Sequence, residues 1–167
     1  VAAFGASLDI ESLISTSTGS LGIYAFESSI TVSGAQMNDH STPIYGEGST
    51  ISVDQSYFSG NELGLFFDVS DSYYCDVTIT NSEFASNQQA ISQIGGELSV
   101  SSADFIGNSG ESTAGIQTNL VDLSITDSRF IDNLSTTSTA ALNLYGGSAE
   151  IEGSEFTGNQ SGGSSPA

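Results

Sequence analysis

Residues 77–87 read Val77-Thr78-Ile79-Thr80-Asn81-Ser82-Glu83-Phe84-Ala85-Ser86-Asn87. Val77 and Ile79 alternate with two threonines, the period of a strand that buries one face. Five residues after Ile79 comes Phe84, and three later Asn87. The Phe-x-x-Asn spacing recurs at Phe58 and Asn61, Phe105 and Asn108, Phe130 and Asn133, and Phe156 and Asn159. Each Phe is led by the same kind of alternating pair: Ile51 and Val53, Leu98 and Val100, Leu123 and Ile125, Ala149 and Ile151. A degenerate copy lies upstream, where Ile30 and Val32 lead to Met37 and His40 takes the Asn position.

Ile30, Met37, Ile44 and Ile51 are seven residues apart, so three sevens make one coil of 21 residues. The rule repeats with Ile51, Phe58 and Leu65, and with Val77, Phe84 and Ile91. It is interrupted by extra residues between Leu65 and Val77, Phe105 and Ile116, and Phe130 and Leu142, each stretch rich in Ser, Thr, Asp or Gly. Insertions of this kind become surface loops in a repeat protein.

A helical repeat would show good helix formers at a period near 3.6, whereas these segments are short, β-branched and separated by Gly, Asn, Asp and Ser. No tight-reversal dipeptide recurs at the offset a hairpin sheet needs. The pattern predicts an all-β, single-domain, right-handed parallel β-helix of about six to seven coils with loop insertions. Residues 29–160 form the solenoid, 1–28 an irregular first rung or N-terminal cap, and 161–167 a Gly/Ser-rich tail.

In such a solenoid Phe58, Phe84, Phe105, Phe130 and Phe156 stack as one inner column. Asn61, Asn87, Asn108, Asn133 and Asn159 form a corner ladder, each bonding the backbone of its turn or the next Asn. The small residues two before each Phe (Ser56, Ser82, Ala103, Ser128, Ser154) let the coil bend. Repeated Phe-x-x-Asn with Gly95-Gly96 and Gly146-Gly147 resembles the repeats of chlamydial polymorphic outer-membrane proteins and related surface proteins, over about residues 29–160. That resemblance implies an exported β-helical stalk or passenger, often adhesive.

The chain has 167 residues, of which 37% are apolar and 13% charged, with a formal net charge of −19. Arg129 is its one basic residue apart from His40. Such a surface repels phosphate backbones and anionic lipid, so nucleic acid is not an expected partner. No apolar run reaches the roughly 20 residues of a membrane span, and the first residues lack the basic flank of a signal peptide. Cys75 is alone and expected to be buried. Scarce Lys and Cys with abundant Ser and Thr fit an extracellular or cell-surface protein.

Candidate chemistry is sparse. A uronate lyase needs a basic residue, and Arg129 falls in an outward column between Asp104 and Glu155, where an ion pair accounts for it. Asp76, Glu97 and Asp122 share one outward position on three rungs, about 4.8 Å apart per rung, a spacing that could supply oxygen ligands to Ca²⁺. The same stacking could supply the paired carboxyls of a hydrolase. Thr31, Ser52, Thr78, Ser99, Ser124 and Glu150 make a neighbouring hydroxyl-rich column. Glycan binding would use exposed aromatics, with Tyr57, Tyr73, Tyr74 and Tyr145 as candidates and Tyr45 assigned to the core. His40 and Cys75, in different rungs, form no nucleophilic set. Asn133-Leu134-Ser135 and Asn159-Gln160-Ser161 are glycosylation sequons on corner positions. No catalytic residue and no organic cofactor is assigned. The expected function is a non-enzymatic structural or adhesive module, stacking end to end into a filament. The alternatives are a polysaccharide-active enzyme or a glycan-binding module.

Overall fold

The computed structural model describes residues 1–69 and 73–162, and shows strands, turns and bends but no helix. All strand pairs are parallel, and they stack into a solenoid of about six turns. One face carries Ser7–Glu11, Ser29–Ser33, Thr50–Asp54 and Asp76–Thr80. A second carries seven three-residue strands, from Ile14–Thr16 through Glu83–Ala85 to Glu155–Thr157. The third carries Ala2–Phe4, Leu21–Phe26, Thr42–Glu47 and Leu63–Asp68. In the later rungs the third and first faces join in single long strands, Gln89–Ser101, Ile116–Thr126 and Leu142–Glu152.

The predicted columns align residue for residue. Ile30, Ile51, Val77, Leu98 and Leu123 pair in series and are buried, as are Val32, Val53, Ile79, Val100 and Ile125. The phenylalanine rings stack at centroid distances of 5.0, 5.1, 4.5 and 4.7 Å with near-parallel planes. Phe58, Phe84, Phe105 and Phe130 are fully buried, while Phe156, in the last rung, is 42% exposed. Each ring thus excludes water by resting on its neighbours, and the terminal ring lacks one of them.

Two polar ladders hold the corners beside this column. Each Asn from 61 to 133 donates its backbone N–H and Nδ2 to the Oδ1 of the next Asn, at 2.9–3.0 Å. Its Nδ2 also reaches the carbonyl of the Phe or Met one rung earlier. At the opposite corner Ser56 Oγ accepts from Ala35 N at 3.1 Å and donates to Asp54 O at 2.8 Å, and Ser82, Ser128 and Ser154 repeat that geometry. These serines therefore satisfy buried backbone groups as well as permitting the bend.

Both ladders depend on a left-handed residue immediately before them. Gln55, Asn81, Ser102 and Asp127 (φ 48–52°) precede the serine-corner positions, and Asp39, Ser86 and Asp132 (φ 53–58°) precede His40, Asn87 and Asn133. Short polar side chains tolerate that conformation better than apolar ones, which accounts for the chemistry of the variable positions in the repeat. At the third corner Gly96 and Gly147 have no room for a side chain, although Leu120-Val121 fill the same corner in the rung between them. A Cβ on Gly96 would lie 2.1 Å from Cys75 O, and one on Gly147 2.1 Å from Val121 O.

The first 28 residues are more regular than the sequence predicts. Ser7–Glu11 pairs in register with Ser29–Ser33, Ile14–Thr16 with Gln36–Asn38, and Leu21–Phe26 with Thr42–Glu47. They make a full rung in which Ser15 holds the Phe position, so the hallmark of the repeat is missing while its register is kept. At the other end Gln160–Ser161 pairs with Leu134–Ser135; of the expected tail, 163–167 lie outside the described residues.

Candidate functional site

The acidic residues singled out in the sequence lie on the first face. Asp76, Glu97 and Asp122 occupy consecutive paired positions, followed by Ser148. All three carboxylates are exposed, and Asp122 Oδ1 accepts a hydrogen bond from Ser148 Oγ at 2.7 Å. Thr31, Ser52, Thr78, Ser99, Ser124 and Glu150 stack in register two residues further along the strands. The columns meet in a shallow depression of about 390 Å³ lined by Glu97, Ser99, Asp122, Ser124, Ser148 and Glu150, with Leu123 and Ala149 at its floor.

This depression offers carboxylate and hydroxyl oxygens to solvent, with no positive side chain among its lining residues. Stacking does not produce convergence: among the described residues no group of three or more His, Cys, Asp or Glu side chains is placed to hold a metal ion. The expected Ca²⁺ ligands Asp76, Glu97 and Asp122 are thus neighbours in register that do not close into a coordination shell. Side chains from parallel strands project side by side, whereas Ca²⁺ needs six to eight oxygens around one point. The carboxyls also lack the dry apolar wall that sets apart the acid of a hydrolase pair.

Arg129 has the predicted partner on one side. Its Nε donates to Asp104 Oδ1 at 2.8 Å, and a second guanidinium nitrogen donates to Oδ2, a bidentate cross-rung pair. Asp104 is the main cause that raises the Arg129 pKa. Glu155, on the next rung, instead accepts from Thr157 Oγ1. The one strong cation of the chain is therefore engaged at the surface and away from the depression.

His40 is buried and occupies the corner column, where its backbone N–H donates to Asn61 Oδ1 at 2.8 Å. Neither ring nitrogen has a hydrogen-bond partner, so the imidazole fills the Asn position without extending the ladder. Cys75 is also buried, its Sγ accepting from Ser49 N at 3.4 Å, and burial pushes its thiol up to about 11. The two sequons prove to be ladder positions. Asn133 is fully buried and its Nδ2 is donated to Asn159 Oδ1 and Phe105 O, which excludes a glycan there in the folded chain. Asn159, partly exposed, gives its Nδ2 to Phe130 O.

No protein-family model and no curated protein matches this chain. Of what the resemblance to chlamydial polymorphic outer-membrane repeats implies, the structure shows the parallel β-solenoid.

The aromatic candidates are scattered. Tyr57 stands on the second face, Tyr73 and Tyr74 lie beside the insertion before Asp76, and Tyr145 is at the last third-face strand. A column the sequence reading overlooked runs along the outside of the third face. Tyr24 and Tyr45 stack at 5.3 Å, Tyr45 and Phe66 at 5.2 Å, and Phe4 meets Tyr24 edge-on. Tyr45, assigned to the core, belongs to this outward, half-buried stack, because Ile44 and Gly46 on either side of it are the inward residues. The signal is present as a 21-residue recurrence of aromatics at Tyr24, Tyr45 and Phe66, outside the Phe-x-x-Asn columns. Its rings cover one another's faces, which leaves mainly edges for a sugar to meet.

Proposed function

We propose that the chain is a non-enzymatic, extracellular or cell-surface structural or adhesive module, a stiff rod whose ends take part in end-to-end assembly. The observation that carries this reading is the repeated interior: the Phe rings stack rung upon rung and the Asn and Ser ladders hold the corners, so each turn rests on its neighbours. The depression on the first face is shallow and open to solvent.

Negative-stain electron microscopy of the purified protein at several concentrations, with and without Ca²⁺, tests the reading. Filaments roughly 2–3 nm wide, the girth of a coil of three short strands, are the expected result. Single short rods under every condition would remove the assembly part and leave adhesion to be sought on the first and third faces.

A further inference from the structure

We infer that the interior of the solenoid binds a water molecule that bridges Gln93 Oε1 and Thr118 Oγ1 of neighbouring rungs. Phe67, Gln93, Thr118 and Leu144 pair in series as one inward column, just before the corner where the third face turns into the first. Gln93 and Thr118 are its polar members, 1% and 0% exposed. Both have a rung on either side, so the site is independent of what covers the ends of the rod and of the assembly proposed above.

Gln93 spans the corner as a clasp. Its Nε2 donates to Cys75 O at 3.1 Å, to Gly95 O at 3.0 Å and to Glu97 O at 3.1 Å. Carbonyl acceptors on every side identify that atom as the nitrogen, so the other terminal atom is an oxygen that can only accept. Among the described residues nothing donates to this Oε1, and Thr118 Oγ1 likewise has no protein partner. Buried polar atoms in folded proteins are almost always bonded to protein or to ordered water, because an unmet group bears the whole cost of leaving solvent.

The two rungs differ in a way that suits a guest. Gln93 reaches the carbonyls two and four residues ahead of it. The matching residues one rung on are Leu120 and Asp122, and the hydroxyl of Thr118 bonds to neither. Threonine falls short of glutamine by an amide group, comparable with the ~30 Å³ that one water takes up. A water beside Thr118 accepts from its hydroxyl, donates one proton to Gln93 Oε1 and turns the other to a carbonyl of the corner. The groups around it are an amide, a hydroxyl and main-chain carbonyls. All are neutral, which favours a neutral guest over an ion, whose burial costs far more. The water thus does for the Thr118 rung what the Gln93 amide does for its own.

A crystal structure of the full chain at a resolution that shows ordered waters tests this, together with water magnetic relaxation dispersion, which counts long-lived internal waters in solution. Density for a water within hydrogen-bonding distance of both Gln93 Oε1 and Thr118 Oγ1 is expected. In Thr118→Gln a second amide takes that place, so the dispersion amplitude should drop by one water while the protein melts at or above the parent temperature. Thr118→Val, which removes the hydroxyl at nearly the same volume, should melt below it. A direct bond between Oγ1 and Oε1 with no density between them overturns the site, as does an amplitude that Thr118→Gln leaves unchanged. Should a variant fail to fold, the crystal structure of the parent decides alone.

Discussion

Asn133 Oδ1 lies 3.0 Å from the backbone nitrogen and 2.9 Å from Nδ2 of Asn108, one rung away, and accepts from both. A single carbonyl oxygen thereby holds the main chain and the side chain of its neighbour in one place. Asn108 plays the same part toward Asn87, and its Nδ2 also holds Phe84 O. The ladder is cooperative in structure, since each member positions the next.

Removing a middle member therefore strands several buried groups at once. Asn108→Ala should lower the unfolding free energy by about 3 kcal/mol or more, because buried donors and acceptors left unpaired each cost about 1–3 kcal/mol. Asn159→Ala, at the partly exposed end, should cost only about 1 kcal/mol, since water replaces the missing oxygen. Urea denaturation of both variants checks this, and equal losses would show that the ladder is not what holds the corner.

His40 is the converse case. His40→Asn places an amide where Asn61 Oδ1 already accepts the backbone N–H, and removes two buried ring nitrogens without partners. Stability should rise by about 1 kcal/mol, the net worth of one added hydrogen bond. A fall in the urea midpoint would mean that the imidazole is valued there for its volume.

Leu120 holds the glycine-pair corner at φ 58°, between Gly95 and Gly146 of the adjoining rungs, and is 65% exposed. A left-handed conformation costs an L-residue about 1–2 kcal/mol, so Leu120→Gly should be neutral to stabilising by about 1 kcal/mol, net of the freedom gained by the unfolded chain. Gly147→Ala should be destabilising by about 2 kcal/mol or more, since its Cβ would press on Val121 O. Thermal melts of the pair should move in opposite directions.

The Cys75 thiol predicts an alkaline effect. Burial raises it from the ordinary 9.0 to about 11. The folded chain therefore keeps a proton that the unfolded chain releases, so this contribution is complete below pH 9 and is lost as pH rises toward 11. Two pKa units correspond to about 2–3 kcal/mol. Stability measured from pH 8 to 11 should fall more steeply for the parent than for Cys75→Ala, and native protein at pH 8 should resist a thiol reagent until denaturant is added.

Much of this was legible in the sequence because a solenoid repeats its interior by position. Phe84 and Asn87 could be placed once Phe105 and Asn108 were seen to copy them, and the insertions fell where the count of sevens failed. The Arg129 to Asp104 pair followed from the same register. What escaped was whatever is written in several residue types at once. The left-handed positions use Gln, Asn, Ser, Asp, Glu, Leu and Gly, so no single letter marks them, and Ser15 concealed the first rung by standing in the Phe column. Whether stacked carboxylates converge or merely lie alongside one another depends on side-chain direction, which spacing alone does not carry.

The insertions before Asp76, Ile116 and Leu142 leave the columns on either side unshifted, since Leu65 still pairs with Ile91, and Ile91 with Ile116. Each turn is thus a tile whose upper and lower edges are alike, with its individuality confined to a bulge at the rim. Duplicating or deleting one tile would lengthen or shorten the rod without redesigning any contact, so the span of the molecule becomes a quantity that can be changed one tile at a time.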